Sequence, residues 1–506
     1  MSRLTRIGVF SGVLMVLAGC TLGQDYVRPA VDSPETWRVD YEDATETANT
    51  RWWQQFDDPV LDVLIDTALK ENKDVRIAAA RVEEFAARVD IFRSGSYPQI
   101  GYDGDLSRNR VSREEYGSND LLDREYTNYS MAVNLSWELD LWGRIRRATE
   151  AARADLLAQE ENRRSVILSL VSAVATSYVT LRQLDSQLEV SLKTLETRRE
   201  SLQLFEVKLA GGVVSELEVA QARAEYQQVA ATIPPLQLRI ALTENALSVL
   251  LGHNPEEMPR GKRLDQLVLP AIPAGVPSQL LERRPDIRTA EQRLIAAEAR
   301  IDVARAQYFP RISLTGLFGY VSDALSELLG SSANTWSVGG SALGPIFTGG
   351  RIDASVRASE AVQRQVLVGY LRTIQTAFRE VDDSLVSVQK FREQLLAQGQ
   401  RVKAYEEYFR LATLRYDEGY ASYIDVIDAQ RFLFEAELQY VGVQGNVYAS
   451  LVGTYKAMGG GWVIEAQRDA DQTDFPATRE NPQSQENFLI PEPTRPASLE
   501  NGPSYQ

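Results

Sequence analysis

The chain has 506 residues, 44% hydrophobic and 25% charged, a composition that excludes both a multi-span helical membrane protein and a wholly disordered chain. Its 54 basic residues against 70 acidic ones leave a net charge of −16, which repels polyanions and argues against nucleic acid as a partner. One Cys and one His exclude disulfide frameworks, cysteine-rich zinc sites and any histidine relay not built on His253, so the composition points away from an enzyme, with no catalytic residues, metal or cofactor expected.

Arg3 and Arg6 precede an apolar run from Ile7 to Leu17, too short to span a bilayer and shaped like the apolar core of a secretory signal. It ends in Leu17-Ala18-Gly19-Cys20, which resembles the lipobox of bacterial lipoproteins. Residues 1–19 are then a lipoprotein signal peptide, and Cys20 carries covalent lipid at the head of the mature chain. A conventional cleavage site beside an incidental Cys is the other reading. Thr21, rather than Asp, after the Cys implies sorting to the outer membrane. Residues 20–60 follow as a lipid-anchored segment, and no later stretch has the roughly 18 consecutive apolar residues of a transmembrane helix.

Beyond this segment the chain is written twice. At an offset of 212, Asp74, Arg76, Arg81, Arg88, Asp90, Pro98 and Ile100 are matched by Asp286, Arg288, Arg293, Arg300, Asp302, Pro310 and Ile312. At an offset of 207, Gly143-Arg144-Ile145 matches Gly350-Arg351-Ile352, and Gly212 with Ser215 matches Gly419 with Ser422. The copies span 61–252 and 280–462, joined by a proline-bearing linker at 253–279 that no long helix can cross. His253 sits in this linker's first turn and reads as a surface residue. Residues 463–506, rich in Pro, Asn, Gln and Glu, read as a disordered tail.

Each copy opens with a helix of about 35 residues that ends at Pro98 or Pro310, followed by two strands and a long helical run. From Ile167 to Leu209, apolar residues recur with a mean spacing of about 3.5, the period of a left-handed coiled coil. A helix from Arg144 to Leu209 measures roughly 100 Å, longer than a globular domain needs.

Between Tyr129 and Leu139 apolar and polar residues alternate, as in a membrane strand with one face in lipid and one in water. Ile100 to Arg108 is its hairpin partner. Ile312 to Tyr320 and, more weakly, Trp336 to Ala342 repeat the pattern. Trp137, Trp142 and Trp336 suit either a lipid–water boundary or ordinary core packing. Four strands cannot close a barrel, and an open edge cannot sit in hydrocarbon. A dimer gives eight strands with a filled interior, whereas a trimer gives twelve, a backbone diameter of roughly 24 Å and an open lumen. The fold class is mainly α with a small β part. Two tandem repeats supply long coiled-coil helices to an α-barrel and four strands to a trimeric twelve-stranded β-barrel.

The Cys20 lipobox, Tyr26-Val27-Arg28-Pro29, Trp52-Trp53 with Phe56 and Asp58-Pro59, the repeated Gly-Arg-Ile and the run Tyr423-Ile424-Asp425-Val426-Ile427-Asp428-Ala429-Gln430 resemble the TolC-like outer-membrane factor family. The lipoprotein branch with OprM and NodT-like proteins is the nearer match. The resemblance implies a passive homotrimeric channel-tunnel in the outer membrane, reaching into the periplasm of a Gram-negative bacterium. It further implies a periplasmic adaptor, a proton-driven inner-membrane pump and export of drugs or other small toxic molecules. The competing class is a periplasmic coiled-coil lipoprotein, scaffold or adaptor, that forms no barrel.

At the turns, Gly211-Gly212 and Gly419 join antiparallel helices, and Ser215 and Ser422 are suited to cap the returning ones. By the resemblance, Asp425 and Asp428 match the acidic rings of the closed periplasmic entrance and form a constriction, with Tyr416 hydrogen-bonded to Glu218 as a latch. Read without it, acids in a first helical turn simply stabilise the helix dipole. Ala421 stands where the family's best-known member has an Arg, so an arginine latch is missing at that position.

Overall fold

The computed structural model describes residues 50–110 and 125–471, apart from 274, 276 and 461, together with 23, 26–34, 36–39, 41, 44 and 112. The signal segment, Cys20 and the sequence beyond 471 lie outside the described residues.

Helices α1 (Pro59–Glu71) and α2 (Lys73–Ser94) replace the single opening helix expected for the first copy. The break is Asn72, whose ψ of 133° leaves the helical region while its side chain accepts hydrogen bonds from the Asp74 and Val75 amides. The strands β1 (Gln99–Arg110) and β2 (Glu125–Leu139) follow. Next come α3 (Arg144–Ala210), α4 (Glu216–Ala230) and α5 (Ile233–Leu251). In the second copy a single turn at Leu280–Arg283 precedes α6 (Pro285–Arg305), because Pro285 holds Arg284 in an extended conformation. Strands β3 (Arg311–Ser322) and β4 (Asn334–Leu343) lead to α7 (Arg351–Asp417), α8 (Tyr423–Met458) and α9 (Trp462–Asp471).

The repeated Gly-Arg-Ile has a backbone cause. Gly143 and Gly350 enter α3 and α7 with φ of 79° and 81°, a region that L side chains rarely adopt. Each of these helices is 67 residues long, or about 100 Å. The return limbs differ. Pro234 and Pro235 split the first into α4 and α5, whereas the second, free of proline, runs 36 residues unbroken as α8.

The core gathers midway along the long helices. Trp52, Trp53 and Phe56 are fully buried there, with the α3 residues Ile167, Val174, Tyr178 and Leu181 around them. One 18-residue window of α3 is apolar enough to cross a membrane on mean hydropathy, but 56% of it is buried inside the chain. Between Leu184 and Phe205, which are buried, the α3 stripe is only partly covered, and Leu192 is 47% exposed. A correction falls at the C-terminus. Residues 463–471, expected to be disordered, belong to α9, where Trp462 packs edge-on against Trp53 at 5.2 Å and Val463 and Ala466 enter the same core. The apolar residues Trp462, Val463 and Ala466 at helical spacing outweigh the polar composition that follows them.

All four strands form one antiparallel sheet in the order β1-β2-β3-β4. Opposed residues share a face, and Tyr102, Val133, Phe318 and Trp336 make one apolar row across it, each about half exposed or more. The adjacent row, Asp103, Ala132, Gly319 and Thr335, lies on the opposite, small or polar face. The repeat holds in register as well as sequence. Offsets of 212 on β1 and 207 on β2 carry the pair Gln99–Ser136 onto Arg311–Leu343, which is the pairing observed in the second hairpin.

The described N-terminal residues run down the long helices from the sheet end. A Cβ on Gly23 would collide with the Asp302 carboxylate near the end of α6. Farther along, Arg28 grips Glu291 through Nε and Nη2, Trp37 Nε1 donates to the Gly275 carbonyl at 2.7 Å, and the Tyr41 hydroxyl donates to the Leu385 carbonyl at 2.8 Å.

Candidate functional site at the helical turns

The far ends of the two helical hairpins are built alike. Gly212 N–H donates to the Leu209 carbonyl and Val213 N–H to Lys208, while Gly419 donates to Tyr416 and Tyr420 to Arg415. This is the same helix-ending motif twice, with φ of 70° at Gly212 and 80° at Gly419. Gly211, also expected to serve the turn, has an ordinary φ of −83°, and Glu418 occupies the equivalent place in the second copy.

Ser215 and Ser422 then open the returning helices. Ser215 donates through its amide and hydroxyl to Glu218 Oε2 at 2.8 and 3.0 Å, and Ser422 donates likewise to Asp425 Oδ2 at 3.2 and 3.3 Å. Glu218 and Asp425 are therefore equivalent carboxylates, each completing a capping box on its own helix. The Ser-x-x-Glu and Ser-x-x-Asp spacings carried that signal. Among the described residues the expected hydrogen bond from Tyr416 to Glu218 is not formed, because Glu218 bonds Ser215 instead. Burial, and then the nearby Glu218 charge, push the Tyr416 phenol up. Asp428 lies half exposed, 3.7 Å from Arg431 on the same helix.

Sequence reasoning missed what joins the two hairpins. Phe205 of α3 meets Tyr423 of α8 at a centroid distance of 4.0 Å, and Tyr416 of α7 completes the aromatic group. Lys208 Nζ lies 5.5 Å from the Phe205 ring and 5.6 Å from that of Tyr416, linking the hairpins by cation–π attraction. Just above, the buried Glu225 of α4 receives Arg431 of α8 and lies 3.5 Å from the buried Arg198 of α3. Burial lowers the Arg198 pKa, with Glu225 opposing that shift. A guanidinium clasp is thus present, but deeper than the position of Ala421. Neither Arg198 nor Arg431 shares a periodicity that marks it in the sequence. Among the described residues no group of His, Cys, Asp and Glu is placed to hold a metal ion. The lone His253 is bracketed by Glu256 at 2.9 Å and Glu71 at 3.1 Å.

Two long hairpins, a two-faced sheet and a doubled turn define a repeated helix–strand chain, and comparison with known proteins decides the rest. The sequence model for outer membrane efflux proteins matches residues 64–253 and 276–460. The chain belongs to the outer membrane efflux protein family. It is 39% identical to the solvent efflux pump outer membrane protein SrpC of Pseudomonas putida over 459 residues, covering 89% of this chain and 97% of that one. It is 34% identical to the cation efflux system protein CusC of Escherichia coli, again covering 89% and 97%. Its fold is similar to the CmeC outer membrane channel of Campylobacter jejuni, with a TM-score of 0.84 and 26% identity over 90% of this chain and 100% of that one. This outer membrane efflux protein is therefore a component of an outer-membrane transport channel and not an enzyme. The alternative of a periplasmic scaffold or adaptor falls with that membership.

Proposed function

We propose that three copies close a twelve-stranded barrel and form the outer-membrane conduit of a three-part efflux system, with a periplasmic adaptor and a proton-driven inner-membrane pump. The observation that carries this reading is the sheet, apolar on one face and polar on the other, whose β1 and β4 edges have no strand partner among the described residues. Hydrocarbon does not tolerate such edges, so β4 of one copy pairs with β1 of the next. The repeat supplies the register. Within the chain Asn134 of β2 faces Leu317 of β3, and the same offsets set Ser341 of β4 opposite Asp105 of the neighbouring β1.

Covalent lipid on Cys20 fits the path of the N-terminal segment. Cys20 lies three residue steps before Gly23, which limits their distance to roughly 10 Å, and Gly23 rests at the sheet end of α6. Named roles of the relatives, solvent efflux for SrpC and cation efflux for CusC, support a cargo of small toxic solutes, drugs among them.

The turns form the periplasmic gate. Three copies set Asp425 and Asp428 around the axis as six carboxylates, a ring that favours cations. Asp425 does so while capping its helix, and Asp428 while near Arg431. The Glu225 clasp and the Lys208 contacts hold the two hairpins of each copy together, with Tyr416 beneath Lys208 and Glu218 alongside. In planar bilayers the detergent-extracted protein is expected to conduct ions and to migrate as a heat-dissociable trimer. A non-conducting monomer would refute the proposal.

A further inference from the structure

Where the sheet meets the helices, a cavity of about 520 Å³ is lined by three arginines, Arg144, Arg311 and Arg351, with Phe309, Gln307 and Pro345. Arg144 is neutralised by a two-pronged pair with Glu138 at 2.9 Å. The side chains of Arg311 and Arg351 make no hydrogen bond or ion pair among the described residues, which leaves the cavity with two uncompensated positive charges.

The internal repeat shows that the fold does not require an arginine at the place of Arg311, nor an unpaired one at the place of Arg351. The first-copy counterpart of Arg311 is Gln99, and that of Arg351 is Arg144, whose partner Glu138 is replaced by Pro345 in the second copy. The same junction is therefore built once without net charge and once with two spare guanidiniums. Its height is also marked. Arg311 begins β3 one residue before the apolar Ile312, and Trp142 stacks on Phe309 at 4.8 Å while donating to the Pro310 carbonyl at 2.7 Å. Aromatic residues of this kind gather at the level of lipid headgroups, where basic pockets take anionic ones.

We propose that this pocket binds the phosphate group of an anionic ligand, with a membrane phospholipid headgroup as one source and free phosphate as the other. Guanidinium forks match phosphate oxygens in pairs, and three around one cavity exceed what a single carboxylate balances. The pocket is lined by residues of one chain, beside the β4 edge, and access to lipid rests on the proposed reading that the strands cross the membrane.

The test uses the full-length protein in detergent, titrated with phosphatidylglycerol, with diacylglycerol and with inorganic phosphate, and read by native mass spectrometry and thermal shift. Phosphatidylglycerol is expected to bind in preference to diacylglycerol, and Arg311→Gln with Arg351→Gln to weaken it by roughly tenfold per arginine. The single Arg311→Gln, which copies the residue type at position 99, guards against loss of the fold. Inorganic phosphate binding with the same sensitivity to these variants supports the site with a soluble source. Phosphatidylglycerol and phosphate binding that the variants leave unchanged, or no preference over diacylglycerol, overturns the proposal. Bilayer conductance of the variants reports separately on the conduit and is expected to persist.

Discussion

Arg198 of α3 and Glu225 of α4 lie 3.5 Å apart with side chains only 3% and 7% exposed, and the same carboxylate accepts from Arg431 of α8. One buried acid thus ties the first hairpin to the second. Removing it strands a buried cation, which costs about 3–5 kcal/mol. Glu225→Gln is expected to loosen the turns, raising single-channel conductance and protease cleavage near 211–215 and 418–422. Unchanged conductance would show that this clasp does not restrain the gate.

The acids beyond Ser422 have two roles that can be separated. Asn accepts a helix-capping hydrogen bond nearly as well as Asp, so Asp425→Asn with Asp428→Asn preserves the fold while removing charge. Cation-over-anion selectivity, measured by reversal potential in a salt gradient, is expected to fall. Selectivity equal to wild type would place these carboxylates away from the pore.

His253 couples α1 to the linker through pH. Its pKa is raised above the ordinary 6.5 by its hydrogen bond to Glu256 and then by that to Glu71. A raised folded-state pKa means that the folded protein holds the proton more tightly. The contribution is complete below the unfolded value of 6.5 and disappears as pH rises through the higher folded value. Thermal midpoints measured across about pH 6 to 9 should decline in the wild type, and His253→Gln should flatten that part of the curve. Parallel curves would dismiss the linkage.

Trp462 closes the core from the C-terminal side and is fully buried. Trp462→Ala removes its contacts with Trp52 and Trp53 and is expected to cost about 3–5 kcal/mol in unfolding experiments. A change near zero would mean that α9 rides on the core without supporting it.

The repeat, both 67-residue helices and all four strands were legible because each rests on periodicity, on a glycine at positive φ or on a proline break. Asn72 was not, since its break arises from a side chain that caps α2 and donates to Leu250, a residue far away in sequence. At the turns, the Ser-x-x-Glu and Ser-x-x-Asp spacings place Ser215 and Ser422 ahead of the acids they bond, Glu218 and Asp425. The Tyr416–Glu218 bond implied by the resemblance is not formed among the described residues, because Glu218 accepts from Ser215 on its own helix instead. The Glu225 clasp depends on helices brought together only by the fold, so neither arginine stands out from the charged residues around it.

Strand pairing between copies gives the most direct measurement. Cys20 is the chain's only cysteine, and the thioether lipid proposed there leaves no native thiol to compete with an introduced pair. With Ser341→Cys and Asp105→Cys in one chain, mild oxidation should yield disulfide-linked dimers and trimers. Ser341→Cys with Gly104→Cys, shifted by one residue onto the opposite face, should yield none. Absence of cross-links in the first pair, or their appearance only in the shifted one, would contradict closure of the barrel by β4 on the neighbouring β1.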